Sequence, residues 1–248
     1  MAGAVASARN PLQNDLLAAL PHADYRRLAA DLEHVQMKLG HALYESGTLL
    51  QHVYFPVSGI VSLLYVTKAG SSAELAVIGC EGMVGISLFM GGETTPNRAV
   101  VQSTCEAYRL KAAALKDEFA LGGAVHLQLL KYTQALITQI SQTAVCNRHH
   151  SVDQQLCRWL LLSLDRLPAK KVEMTQELIA NMLGVRRQGV TEAARALERD
   201  GLIEYRRGSI AVLDRPGLEA RVCECYAVVK REYDRILPPP APGSREQA

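Results

Sequence analysis

The residues of this chain best suited to chemistry lie between Met174 and Leu213, in the stretch MTQELIANMLGVRRQGVTEAARALERDGLIEYRRGSIAVL. Six arginines, Arg186, Arg187, Arg195, Arg199, Arg206 and Arg207, face four acids across residues 186 to 207. Guanidinium groups at that density suit phosphate oxygens, or the guanine edge that a planar fork of donors can read. The elements that would position them are legible. Thr175 caps a helix with Glu177 in its first turn and Leu178, Ile179 and Met182 as its apolar face, and Gly184 takes the left-handed conformation that ends it. A second helix follows, with Val190, Ala193, Ala194 and Leu197 inward and Arg187, Gln188, Thr191, Glu192 and Arg195 outward at three- and four-residue spacing.

Small Ala180 lets the two helices approach closely, so the pattern is a helix-turn-helix. Asp200-Gly201 ends the second helix, and Leu202–Tyr205 and Ser209–Leu213 alternate as two strands around Arg206-Arg207-Gly208. That hairpin is a wing whose arginines would meet phosphate. The plainer alternative is a helical hairpin with a solvated charged face. It leaves the agreement of glycine turn, small contact residue, polar outer face and basic wing unexplained.

The rest of the chain sets the context. With 248 residues, 48% of them hydrophobic and 21% charged, it is long enough for two domains with their own cores. A net charge of +2 proposes neither a nucleic-acid coat nor a membrane-surface protein, so any basic surface is local. The excess is indeed local: 12 basic and 13 acidic residues run up to Asp165, against 15 and 12 after it. No stretch reaches the ~18 apolar residues of a membrane span, and MAGAVASARNP lacks a basic segment followed by an apolar one, so a cytoplasmic location is expected. The six cysteines, Cys80, Cys105, Cys146, Cys157, Cys223 and Cys225, are scattered as reduced thiols rather than as a disulfide framework. Cys223-Glu-Cys225 is a lone C-x-C without a second pair, and no metal and no cofactor are expected.

An opening helical segment, Leu12–Leu32, precedes short runs of β-formers at Val35–Leu39, Val53–Phe55, Gly59–Val66, Ala73–Ile78 and Arg98–Gln102. Turn residues separate them, which predicts a β-sandwich or small barrel. From Ala124 to Arg148 the pattern is one long helix. Leu129, Leu130, Thr133, Leu136, Ile137, Ile140 and Ala144 fall in an arc of roughly 120°. A stripe that wide can pack on the sandwich and still meet a second copy of itself. Val152–Leu164 is a further helix, Leu218–Leu237 (residues 218 to 237) an added C-terminal one, and Gly243–Ala248 a polar tail expected to be disordered.

Taken together the chain resembles the Crp/Fnr superfamily of bacterial transcription regulators, from about Leu12 to Leu213. The resemblance is strongest in ALYESGTLLQHVYFPVSGIVSLLY (42 to 65), HHSVDQQLCRWLL (149 to 161) and the helix-turn-helix. It implies an α+β chain with an antiparallel, jelly-roll-like β-roll sensor at 12–123, a dimerisation helix at 124–148 carrying Leu129, Thr133, Leu136, Ile137, Ile140 and Ala144, a winged helix-turn-helix at 149–217, and a C-terminal helix and tail at 218–248. It also implies a homodimer on near-palindromic double-stranded DNA, acting on RNA polymerase. Arg187, Gln188 and Glu192 match the family's base-contacting positions. Gln188 and Glu192 depart from the commonest Glu and Arg there. Thr175, Arg186, Thr191, Arg195, Arg206 and Arg207 complete the expected DNA surface.

Members of the family that bind cyclic nucleotides hold the ribose with a Gly-Glu pair and the phosphate with Arg-Ser or Arg-Thr followed by Ala. Here the acid position falls on Gly85 or Ile86, and Asn97-Arg98-Ala99 replaces the phosphate pair with the arginine one place late. In a period-two strand a one-residue slip turns Arg98 to the other face unless a bulge restores it. Gly85, Ile86, Asn97, Arg98 and Ala99 are therefore candidates for an unidentified small-molecule effector, and cyclic AMP is not expected. An iron–sulfur sensor of the family's kind needs several N-terminal cysteines, whereas the first here is Cys80. Haem could draw on Cys80, His41 or His52 as axial ligands, though single Cys and His residues are more often core or surface, and His149-His150 at the hinge read most simply as exposed linker histidines. Two rival functions remain to be tested: a protein-binding winged helix, and an enzyme. Against the enzyme, the chain has no His-x-His, G-x-S-x-G, P-loop or G-x-G-x-x-G.

Overall fold

The computed structural model describes residues 9–167, 171–206 and 208–238. Pro168, Arg207 and the expected disordered tail lie outside the described residues. The opening segment is two short helices, α1 (Asp15–Ala18) and α2 (His22–Ala29). Asn14 anchors them. Its side-chain oxygen accepts from the Leu16 and Leu17 N–H groups, and its amide donates to the Pro56 and Gly82 carbonyls at 2.9 and 2.8 Å.

Seven strands follow: β1 (Glu33–Met37), β2 (Ala42–Tyr44), β3 (His52–Pro56), β4 (Ile60–Val66), β5 (Ser72–Ile78), β6 (Arg98–Ser103) and β7 (Cys105–Lys111). They form two antiparallel sheets, ordered β1-β7-β3 and β2-β6-β4-β5. Buried Val53, Phe55, Ala107 and Leu110 of the first sheet, and Val61, Leu63, Ala99 and Val101 of the second, belong to one core. The roll is thus the expected α+β architecture, and β2 and β7 are additions to the strands read from sequence. Cys105–Lys111 alternates only at its start, with Cys105 and Ala107 buried between Glu106 and Tyr108, before Arg109 takes the place of the next inward residue and donates to Glu33 instead.

After α3 (Ala112–Ala120) comes the long helix α4 (Gly123–His149), followed by α5 (Val152–Leu164), which opens with a capping box between Ser151 and Gln154. α4 is where the sequence reading needs correction. Leu129, Thr133 and Leu136 are buried against their own chain, with Val125, Tyr132, Ala135 and Gln139 beside them. They are not free to meet a second copy. The outward face carries Leu127, Leu130, Ile137, Ala144 and Val145, with Ile140 half-buried at its border. Both sides of the helix carry apolar residues, so periodicity alone cannot say which one faces the roll.

Gln139 decides that orientation. Its side-chain oxygen accepts from the Val77 N–H at 3.0 Å and its amide donates to the Val77 carbonyl at 3.2 Å, closing the free edge of β5 as a neighbouring strand would. The same amide donates to the Tyr233 hydroxyl at 3.0 Å. Tyr233 belongs to α9 (Glu224–Ile236), which follows α8 (Arg215–Arg221). The expected single C-terminal helix is therefore two, broken at Val222-Cys223.

Glu74 on β5 is buried beneath α5. The Ser62 hydroxyl donates to it at 2.6 Å, and Arg158, Arg166 and Trp159 are its other polar neighbours. Burial pushes its carboxyl up from 4.5 to about 7. Between those values the native state holds a proton that the unfolded chain has released, so this group stabilises the fold below about 4.5 and loses that contribution as pH rises through about 7. Glu74→Gln is expected to remove the dependence. Denaturant midpoints measured at about pH 5 and about pH 8 should differ less in the variant than in the parent protein; an unchanged difference would mean that Glu74 is ionised throughout.

Candidate nucleic-acid interface

The C-terminal unit is built on α5, α6 (Gln176–Leu183), α7 (Arg187–Arg199) and a three-stranded sheet. Thr175 caps α6, its hydroxyl accepting from the Leu178 N–H at 3.3 Å, and Gly184 ends the helix at a φ of +66°. These are the start and stop read from the sequence. Val190, Ala193, Ala194 and Leu197 of α7 are buried, while Arg186, Arg187, Gln188, Glu192 and Arg195 lie exposed along its outer side. Gln188 donates to the Glu192 carboxylate at 2.9 Å, one turn on. Thr191 lies differently from expectation: half-buried, its hydroxyl sits 2.7 Å from the Gln176 side-chain oxygen and 3.0 Å from the Arg187 carbonyl, holding α6 to α7. Thr175 likewise spends its hydroxyl on the cap.

The wing pairs β9 (Ile203–Arg206) with β10 (Ser209–Val212), and β8 (Lys171–Glu173) adds a third strand on the far side of β10. That third strand was not foreseen, because Lys171 and Glu173 flank only one buried residue, Val172. Arg206 at the wing tip is exposed and pairs with Glu204 at 2.7 Å, an exposed contact that phosphate can displace. Arg207 lies outside the described residues. Among the described residues, Arg186, Arg187 and Arg195 have no ion-pair partner, so the outer side of α7 presents uncommitted guanidinium groups, while the wing meets the far end of the helix, where the Tyr205 N–H donates to Glu198 at 2.8 Å.

At the sensor end, Gly85 has a φ of +108° and opens a single 3-10 turn, Ile86–Leu88. A Cβ on Gly85 would come within 3.1 Å of Val53. Ala99 is wholly buried opposite Leu63, Asn97 is half-buried, and the Arg98 guanidinium donates to Glu45 at 2.9 Å. The five candidates thus lie on two segments, and the one cation among them already faces a carboxylate.

Residues 154–221 match the family description of the Crp-like helix-turn-helix domain, and residues 34–120 that of the cyclic nucleotide-binding domain. The chain belongs to the Crp/Fnr superfamily. Among solved structures, one assigned to the Crp/Fnr family from Eubacterium rectale aligns with a TM-score of 0.66 and 20% identity, over 85% of this chain and 96% of that one. The c-di-GMP responsive global regulator CLP of Xanthomonas campestris aligns at 0.61 and 18%, over 78% and 100%. A CRP-family transcriptional regulator from Thermus thermophilus aligns at 0.64 and 16%, over 75% and 95%. These likenesses speak for the shared fold. No curated protein matches the sequence.

Within the Crp/Fnr architecture the two halves of this chain touch directly. Ala73 of β5 stands 3.3 Å from where a Cβ on Gly184 would lie, and the Ser72 hydroxyl donates to the Asn181 carbonyl at 3.4 Å. Behind the reader, Arg221 of α8 pairs with Asp153 of α5 at 2.7 Å and also with Asp200 at the end of α7. Sequence reading missed these braces, since acids and bases far apart in the chain carry no local signal of pairing.

Proposed function

We propose that this Crp/Fnr-family chain is a sequence-specific, non-enzymatic DNA-binding transcription regulator. The observation that carries the reading is the outer side of α7, where Arg186, Arg187, Gln188, Glu192 and Arg195 stand exposed, as does the wing arginine Arg206. A helix of this kind enters the major groove with its N-terminal residues at the base edges, while a wing meets the backbone. A roll at 12–123, a dimerisation helix at 124–148 and a winged helix at 149–217 form the working division, with 218–248 appended. The regulator acts as a homodimer in the cytoplasm, on a near-palindromic operator whose half-sites lie ~34 Å apart, and works through RNA polymerase. Supporting the location, no helix of the described residues is long and apolar enough to cross a membrane.

The dimer reading is supported by the outward face of α4, where Leu127, Leu130, Ile137 and Val145 are between 44 and 53% exposed in one chain. Large apolar side chains in a row at helical spacing are what a second helix covers.

Control by cyclic AMP is not part of the proposal. Ile86 or Gly85 stands where the ribose acid is needed, no hydroxyl follows Arg98, and Arg98 itself pairs with Glu45 at 2.9 Å. The roll is either a packed scaffold or takes a small molecule other than cyclic AMP; the Xanthomonas campestris relative is described as c-di-GMP responsive, which is a property of that protein.

Three outcomes test the proposal. Arg187→Ala should flatten discrimination at one base pair of each half-site, by roughly 1 to 3 kcal/mol. Arg206→Ala should instead weaken all sequences alike and lower the salt slope by about one per half-site. Binding titrations over an operator series separate the two, and intact discrimination in Arg187→Ala would remove α7 as the reader; retention of a protein partner and not of DNA would favour the protein-binding winged helix. For the dimer, Ile137→Glu places an unpaired carboxylate in the apolar face, so sedimentation should show a monomer with weakened operator binding, and an unaltered dimer would show that copies meet elsewhere. Operator binding should not respond to cyclic AMP, and calorimetric saturation at about micromolar concentration would establish the nucleotide as ligand through Arg98.

A further inference from the structure

The C-x-C pair that looks solitary in the sequence is not solitary in the fold. Cys146 and His150 lie one helical turn apart at the end of α4, where the His150 N–H donates to the Cys146 carbonyl at 3.0 Å. Cys223 caps α9 and Cys225 sits in its first turn. The break between α8 and α9 brings both pairs together, so that one ligand atom from each residue lies within 4.8 Å of all the others. The Cys146 and Cys223 sulfurs are 3.6 Å apart, as are the Cys225 sulfur and His150 Nδ1.

We propose that Cys146, His150, Cys223 and Cys225 form a closed, four-ligand zinc site that staples α9 to the end of α4, at the hinge from which the DNA-binding unit departs. Bonds of about 2.3 Å to sulfur and about 2.0 Å to nitrogen set tetrahedral ligand separations of roughly 3.5 to 3.8 Å, and both 3.6 Å contacts fall there. Three soft thiolates with one imidazole select zinc over hard cations, and four protein ligands leave no open position, which marks a structural site. An iron–sulfur cluster is a poorer fit, because its four ligands are spread over two or four irons and cannot all stand within 4.8 Å of one another.

The surroundings are those of a metal site. With Nδ1 turned to Cys225, the other ring nitrogen of His150 faces the Glu224 carboxylate at 3.4 Å, the partner that orients a ligating histidine. Gln155 fixes the same residue from behind, donating to the His150 carbonyl at 2.9 Å. Three thiolates on a divalent ion leave one negative charge, and buried Arg158, which bears on both Cys146 and Cys225, offsets it. Arg158 otherwise has only the Thr143 hydroxyl to donate to, at 3.2 Å, and a buried Nε without a partner among the described residues. Loading displaces the thiol protons to solvent.

The test uses the full-length protein, purified from a reducing cytoplasm without chelator and then incubated with zinc(II). Elemental analysis is expected to find about one zinc per chain, and cobalt(II) exchanged into the parent protein should give thiolate-to-metal charge transfer together with the intense visible bands of a tetrahedral ion. Chelation should lower the melting temperature by several degrees, since the metal binds the folded state. Cys225→Ser should retain at least about tenfold less zinc, and His150→Cys, which keeps a four-ligand set, should retain it. The proposal is overturned by less than about a tenth of a zinc per chain in the parent protein, by an octahedral cobalt spectrum, by undiminished zinc in Cys225→Ser, or by mass spectrometry showing Cys146 and Cys223 joined in a disulfide. The cobalt spectrum is read on the parent chain, so the outcome does not depend on a variant folding.

Discussion

Much of this molecule depends on one side-chain amide. A sheet edge leaves a backbone N–H and a carbonyl unpaired, and burying them without partners costs several kcal/mol. At Val77 of β5 the Gln139 amide answers both groups at once, so α4 is not free to slide or rotate against the roll. With that register set, Leu129, Tyr132 and Leu136 turn inward, and Leu127, Leu130 and Ile137 are left outside. The second hydrogen of the amide reaches Tyr233, so the contact that orients the long helix also seats the last one.

The consequences extend to the DNA-reading end. Because α9 is held alongside α4, the residues at its start, Cys223 and Cys225, arrive beside Cys146 and His150. Because β5 is held against α4, its outer face is presented to α6 near Asn181 and Gly184. At α6 the helix-turn-helix thus rests on the sensor sheet through small residues and one hydroxyl, and near the end of α5 Arg166 pairs with Glu81 at 2.6 Å. The heavier fastening is behind it, where Arg221 ties α8 to α5 and to the end of α7. Buried charge follows the same division: Glu74 and Arg158 lie where roll, long helix and α5 converge, shielded from water by all three.

Much of the reader was legible from residue types, since its signals are local. A threonine cap at Thr175, a left-handed glycine at Gly184 and the inward Val190, Ala193, Ala194 and Leu197 each act within a turn or two of chain. The roll was legible in part. Strands with a continuous apolar run, such as Ile60–Val66, announce themselves, whereas Cys105–Lys111 is paired on both sides by β1 and β3 and takes its strand character from those neighbours. The acidic and basic side chains along it meet partners distant in sequence, and no periodicity encodes such pairings.

Residue types and spacing alone determined the order of parts: a β-rich first half, one long helix, a helix-turn-helix and a basic hairpin, together with the family that order belongs to. Those features come from backbone preferences and from contacts three or four residues apart. Tertiary structure alone decided which side of α4 faces inward, that Thr191 serves the packing of α6 on α7, that Arg98 is occupied by Glu45, and that two cysteine pairs separated by most of the DNA-binding unit converge. Each of these is settled by a contact between residues remote in sequence, whose free energy exists only once the intervening chain has folded.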